Sequence, residues 1–288
     1  MRKLLLLSIL CPVIAVSQQS LHVTLFGGLS NYSGDMQDHQ FTLQQSNFAF
    51  GAGLKYDLTP HVALRVAFNH GTIQGDDKKS SDPLLRARNL SFASKINEGS
   101  LLAEYTILDL EEHKVSPFVY SGVTVFHFNP YAYDTVGNKV YLKPLSTEGQ
   151  GITAGRDPYK LTQFAIPVGI GLKFRISENT VLAYEVSIRK TFTDYLDDLS
   201  KTYVDQTLLA QQRGLKAVEM AYRGDELKDG NATYPDDGSV RGGQKYKDWY
   251  YFTGFTLYVG LGSGNGGHNV FGRGTRGGRN QLGCPKVL

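Results

Sequence analysis

The sequence predicts an all-β protein: an eight-stranded antiparallel transmembrane β-barrel with short periplasmic turns and long extracellular loops. Three observations carry that expectation. Period-two alternation of apolar with small or polar residues is sustained in several segments. The segments that read as strands number eight, and the even count suits an up-and-down barrel. The connections between them alternate strictly between short and long. A soluble β-sandwich, the competing architecture, has no need of that alternation.

The clearest strand covers residues 161–176. Thr162, Phe164, Ile166, Val168, Ile170, Leu172, Phe174 and Ile176 form one face, and Ala165, Pro167, Gly169, Gly171, Lys173 and Arg175 lie on the other. Strands of soluble domains usually stop at about 3–10 residues, so a longer one with an apolar face fits a barrel wall against lipid. Residues 61–71 set Val62, Leu64, Val66 and Phe68 against Ala63, Arg65, Ala67 and Asn69. Residues 96–108 set Leu101, Ala103, Tyr105 and Ile107 against Glu98, Ser100 and Glu104. Residues 180–192 set Leu182, Tyr184, Val186 and Ile188 against Ala183, Glu185, Ser187 and Arg189. Residues 117–128 and 249–261 are more aromatic and alternate less cleanly; residues 21–29 and 47–56 supply the remaining two strands.

Short connections at 57–60, 109–116 and 177–180 have turn composition. Long ones span 30–46, 72–95, 129–160 and 193–248. Short turns face the periplasm and long loops the exterior. The expected location is therefore the cell outer membrane.

Three regions follow. Residues 1–17 read as a secretory signal peptide: Met1-Arg2-Lys3 is basic, residues 4–16 are apolar, and Ala15-Val16-Ser17 offers a small-x-small cleavage site. The run is too short to cross a bilayer as a helix. Leu10 before Cys11, with apolar sequence continuing past it, argues against a lipidation signal. Residues 18–261 form the barrel. Residues 262–288 are a Gly/Arg-rich tail, placed in the periplasm by the same topology. Its Arg273, Arg276, Arg279, Cys284 and Lys286 are candidate partner-binding residues; composition allows either a disordered end or a segment that orders on a partner.

The net charge of +3 argues against nucleic acid as the main partner. Once the signal peptide is removed, Cys284 is the one cysteine left, which rules out an internal disulfide or a cysteine-based zinc site. An eight-stranded barrel is just wide enough to be filled by its own side chains. Arg65, Glu98, Glu104, Lys173, Arg175, Glu185 and Arg189 fall on the inward parity and are expected to fill it as a salt-bridge network. His70 and His127 lie near extracellular strand ends without a recognisable serine partner. His127 is assigned to an interfacial girdle with Phe126, Phe128 and Tyr131. Asp194, Asp197 and Asp198 match no defined calcium loop, which favours a solvated face or local salt bridges over a cation site. No catalytic, metal or cofactor site is expected.

Several strings carry a family resemblance. They are residues 27–35 (Gly-Gly-Leu-Ser-Asn-Tyr-Ser-Gly-Asp), 116–122 (Ser-Pro-Phe-Val-Tyr-Ser-Gly) and 147–151 (Thr-Glu-Gly-Gln-Gly). Residues 189–198 (Arg-Lys-Thr-Phe-Thr-Asp-Tyr-Leu-Asp-Asp), Arg241-Gly242-Gly243, residues 248–252 and Cys284-Pro285-Lys286 complete them. Together they resemble the PorG family, the outer-membrane barrel of the Bacteroidetes type IX secretion system. The resemblance implies a non-enzymatic anchor for a periplasmic ring built from a lipoprotein and a companion subunit. It also implies a role in secreting proteins that carry a C-terminal sorting domain and, in gliding bacteria, in motility. A generic small outer-membrane barrel with ligand- or surface-binding loops is the alternative.

Overall fold

The computed structural model describes residues 21–37, 41–228, 230–243 and 247–261. Eight long strands close into a barrel: β1 (Leu21–Ser33), β2 (Asn47–Asp57), β3 (Val62–Asp76), β4 (Ser91–Thr106), β5 (Val115–His127), β8 (Thr162–Ser177), β9 (Thr180–Thr191) and β10 (Trp249–Gly260). Each long strand pairs antiparallel with its neighbours in the chain, and β1 pairs with β10 to close the ring. Closure leaves no unpaired sheet edge in the bilayer, where an unsatisfied backbone group costs several kcal/mol. Two short strands, β6 (Tyr131–Tyr133) and β7 (Lys139–Tyr141), form a hairpin in the third long loop that meets β4 through Tyr131 and Ala93.

Side-chain parity follows the alternation read from the sequence. On β8, Phe164, Ile166, Val168, Ile170 and Leu172 point outward, while Ala165, Pro167, Gly169 and Lys173 are buried inside. Leu64, Val66 and Phe68 on β3 and Val119, Val123 and Val125 on β5 continue the exposed apolar belt. Phe48, Phe50, Phe164 and Phe192 mark its loop-side rim and Tyr56 and Tyr105 its turn-side rim. A continuous apolar belt of this extent is untenable in water and matches the lipid-facing band of a transmembrane barrel. None of the described helices is long and apolar enough to cross a membrane; the strands cross it. Pro167 has no N–H to give its neighbours, and the β5–β8 pairing lapses beside it between Ser121 and Thr124. Ser121 Oγ donates to the Pro167 carbonyl there (2.9 Å).

The strands outrun the membrane at the loop end. β1 continues to Ser33, β3 to Asp76, and β4 starts at Ser91. Residues 30–33 of β1 are buried on both faces, because the long loops pack over them. Those loops carry α1 (Pro83–Arg88), α2 (Gln206–Arg213) and α3 (Leu215–Ala221). Asp82 caps α1 by accepting the Leu84 N–H, with Pro83 at its first position; Asp205 caps α2 by accepting the Leu208 N–H. Gly214, at φ +86°, joins α2 to α3. The four loops form a lid over the barrel mouth, with Tyr32, Met36, Leu90, Phe92, Leu142, Leu196, Leu199 and Met220 in one apolar core.

Candidate functional site

Two polar layers fill the lumen. In the layer next to the lid, Arg189 Nη2 meets Glu98 Oε1 at 2.6 Å. The same carboxylate accepts from Tyr250 Oη (2.7 Å) and Asn69 Nδ2 (2.9 Å). In the layer towards the short turns, Lys173 Nζ contacts Glu104 and donates to Thr106 Oγ1 (2.8 Å). Arg65 donates to Tyr258 Oη (2.9 Å) and reaches Glu185 (3.3 Å), and Tyr258 donates in turn to Glu104 (3.3 Å). Aromatic faces seat the cations: the Arg65 guanidinium lies 4.5 Å from the Tyr120 ring centre and that of Arg189 4.5 Å from Phe252. Gly169 is where the Tyr120 ring crosses the lumen; a Cβ there would overlap it. The gap among Arg65, Tyr120, Glu185 and Arg189 measures about 20 Å³, room for one water at most.

Of the seven expected lumen residues, six join these layers. Arg175 does not. It sits at the turn-side end of β8, half-exposed, and donates to the Glu111 carbonyl (3.2 Å) instead. Parity placed it correctly, but the strand had left the lumen by that point. Tyr120, Tyr250 and Tyr258 were missed. They share the inward parity, yet β10 carries aromatics on both faces, and on β5 the inward face itself holds Phe118, Tyr120 and Phe126, so neither strand sets an apolar face against a polar one.

The expected girdle around His127 is also corrected. Phe126 and Phe128 are fully buried in the lid core, and Tyr131 is buried in the third loop. His127 alone of the four faces outward, with Nδ1 3.0 Å from Thr162 Oγ1. His70 Nδ1 lies 2.7 Å from Asn97 Oδ1, and its ring packs on Phe50.

The lid is the second organised site. Asp194, Asp197 and Asp198 are buried in it, so of the two expected arrangements the solvated face fails, while salt bridges hold for Asp194 with Lys247 and for Asp198 with Arg241 (3.9 Å each). Asp198 accepts from Tyr159 Oη (2.7 Å) and Thr147 and lies 3.9 Å from the Arg241 guanidinium. Glu148 takes the Ser200 and Lys201 N–H groups (3.0 Å each) and Arg241 Nη1 (3.2 Å). Asp197 accepts from Tyr32 Oη (2.9 Å), Asp248 from the Leu196 N–H (2.9 Å), and Asp35 from the Gly243 N–H (2.7 Å). Gly34 lies so close to the Asp248 carboxylate that a Cβ would overlap it. Burial raises all four inner carboxyls: Asp194 and Asp198 to about 6, and Asp197 and Asp248 well above the usual range, with neighbouring carboxylates adding to the last two. Arg241 and the hydroxyl donors hold Asp198 lower than burial alone would. Among the described residues no group of three or more His, Cys, Asp or Glu side chains is arranged to hold a metal ion.

Closed ring, apolar exterior and filled lumen define the class: a small transmembrane β-barrel of the kind that resides in the bacterial outer membrane. The chain belongs to the family described as a domain of unknown function, DUF6089, whose model matches residues 1–215. No curated protein matches the sequence. Similar solved structures include Neisserial surface protein A, at 8% identity and a TM-score of 0.43, covering 84% of this chain and 99% of that one. A major outer membrane protein from Thermus thermophilus has 14% identity and a TM-score of 0.40, covering 85% of this chain and all of the other. The attachment invasion locus protein of Yersinia pestis, crystallised with a heparin analogue, has 10% identity and a TM-score of 0.38, covering 84% and 97%. The signal peptide, Arg273, Arg276, Arg279, Cys284 and Lys286 lie outside the described residues.

Proposed function

We propose that the protein is a non-enzymatic outer-membrane component of a type IX secretion system, anchoring the periplasmic lipoprotein-containing ring to the membrane. The observation that supports an anchor over a pore is the filled lumen under a closed lid, which leaves the barrel as a fixed membrane body. The secretion role itself rests on the resemblance to the PorG family. Five of the segments that carry it meet in the lid: Asn31 to Asp35, Thr147 to Gly151, Asp194 to Asp198, Arg241 to Gly243 and Asp248. Residues 116–122 lie at the turn end of β5, and residues 284–286 lie outside the described residues.

Contacts with the ring would fall to the short turns and to residues 262–288. Pull-down of the full chain from detergent extracts should recover the ring lipoprotein and its companion subunit, and removal of residues 262–288 should weaken recovery. Intact secretion of sorting-domain proteins in a deletion strain would sink this reading. It would leave a generic barrel whose loops bind a surface ligand, a reading favoured by the cavity in the lid described next.

A further inference from the structure

The outer part of the lid holds a cavity of about 560 Å³, bordered by the Asp35–Gly243 bond and by Arg241. Its size is that of a binding site for a small molecule or an inserted side chain, about 300–1,000 Å³. α1 forms one wall, with Leu84, Leu85 and Ala87; the fourth loop forms the other, with Tyr203, Tyr222 and Val240. Both lips are apolar and open to solvent: Leu84 is 78% exposed and Val240 79%. A ligand seated in the cavity would cover both of these side chains and gain the apolar area they now expose.

Charge decides which partner. Two guanidinium groups line the cavity, and both are committed to the protein. Arg88 is held by both oxygens of Asp77 (2.7 and 2.8 Å) and donates to the Arg241 carbonyl (2.6 Å). Arg241 is spent on the Ala221 and Asp198 carbonyls and on Glu148. Arg86, next to them on α1, turns back to the carbonyls of Ser80 and Ser81 (2.8 Å each). The lining carboxylates are less committed. Asp35 accepts the Gly243 N–H through Oδ2 (2.7 Å), and Asp82 accepts the Leu84 N–H through Oδ1 (2.8 Å). Among the described residues no donor bonds the second oxygen of either. Exposed Asp225 lies close to Tyr222, and exposed Asp237 close to Tyr234 beside the mouth. The approach is therefore acidic, the walls are apolar and aromatic, and the unspent polar atoms are acceptors.

We infer that this cavity docks a lysine- or arginine-bearing segment of an extracellular polypeptide. The aliphatic stem of the basic side chain lies between α1 and the fourth loop, as such stems do on apolar surface. Its charged head meets Asp35 and Asp82 in charge-assisted hydrogen bonds, and the residues on either side of it cover Leu84 and Val240. An acidic or phosphorylated ligand finds no free cation among the lining residues. A bare amine leaves both lips uncovered. The inference stands apart from ring anchoring, which concerns the opposite end of the barrel.

The test uses the full chain in lipid nanodiscs and fluorescence anisotropy of a labelled acetyl-Gly-Leu-Lys-Leu-Gly-amide peptide. The lysine peptide should bind saturably, weaken with salt, and lose at least tenfold in affinity on Asp35→Asn. Leu84→Lys, a change on an exposed lip that leaves the fold untouched, should do the same by placing a like charge at the mouth. The peptide with Glu in place of Lys should not bind. The inference is overturned by no saturable binding of the lysine peptide, by equal binding of the Glu peptide, or by an unchanged Kd for Leu84→Lys. Competition by butylammonium as strong as by the peptide itself would overturn the polypeptide as occupant. Should Asp35→Asn fail to fold, Leu84→Lys decides.

Discussion

The lumen and the lid solve the same problem with different materials. Both bury charges that must be matched. In the lumen, the partners sit on long strands whose register fixes them: Glu98 is opposite Asn69 on β3, and Arg189 is opposite Tyr250 on β10. In the lid, the partners sit on loops that no ladder holds, and the side-chain bonds themselves fix the backbone. Glu148, for instance, binds two consecutive N–H groups of the fourth loop together with Arg241. The lumen therefore keeps its polar pairs because its walls are rigid, and the lid keeps its shape because its polar pairs are intact. Damage to a lumen pair should be felt by the whole barrel, whereas damage to a lid pair should stay in the lid.

Glu98→Ala is the strongest way to test that contrast. It leaves Arg189 buried without its carboxylate and removes the acceptor shared by Tyr250 and Asn69. Breaking a buried pair from one side costs about 3–5 kcal/mol. Urea unfolding of the protein in lipid vesicles, followed through its one tryptophan, Trp249 at the start of β10, should show a loss of that size in a single transition. A loss confined to the loops, with the barrel transition unmoved, would erase the distinction.

The same contrast separates what was legible in the sequence from what was not. A period of two is a local property, so six of the seven inward charges and the whole lipid-facing row of β8 could be read before any contact was known. Arg175 failed because parity says which face a residue takes and not where the lumen ends. The ends of β1, β3 and β4 were underestimated for a related reason: above the membrane no lipid imposes an apolar face, and at residues 30–33 of β1 the lid covers both sides. The lid carries no period at all. Asp194, Asp197 and Asp198 look like a solvated acidic run until Thr147, Tyr159, Tyr32 and Arg241 are brought to them from distant parts of the chain. Every one of those partners is set by tertiary packing.

Acidity should move the lid more than the barrel. The Asp198 carboxyl titrates at about 6 when the lid is closed, against an ordinary 3.8 when it is open. A raised value means the closed form holds its proton longer. Below the ordinary value both forms are protonated and closure keeps its full stability. As the pH climbs from about 4 to about 6, the open form loses its proton first, and closure loses up to about 3 kcal/mol. Asp194, Asp197 and Asp248 are raised as well and act in the same sense. Amide exchange corrected for intrinsic rates should therefore show loops 193–200 better protected at pH 4 than at pH 7, with the centres of β8 and β9 unchanged. Stronger protection at pH 7 would mean that these carboxylates are held charged by partners.

The smallest effect is the most local one. Tyr32 stands at the loop end of β1, where strand gives way to lid. Its hydroxyl donates to Asp197 Oδ2 and accepts the Met36 N–H, both at 2.9 Å. Its ring packs edge-on against Phe92 of β4 at 4.8 Å. Tyr32→Phe keeps the ring and removes the two hydrogen bonds, so packing is preserved and the loss is polar alone. Removing a buried hydroxyl of this kind costs about 1–3 kcal/mol, and the lower end applies because Asp197 can stay protonated and retains the Leu199 N–H. Limited proteolysis should cut the first loop, residues 34–46, several-fold faster in the variant, with the urea midpoint of the barrel unmoved. A shift of that midpoint as large as the one for Glu98→Ala would mean that lid and lumen unfold as one unit.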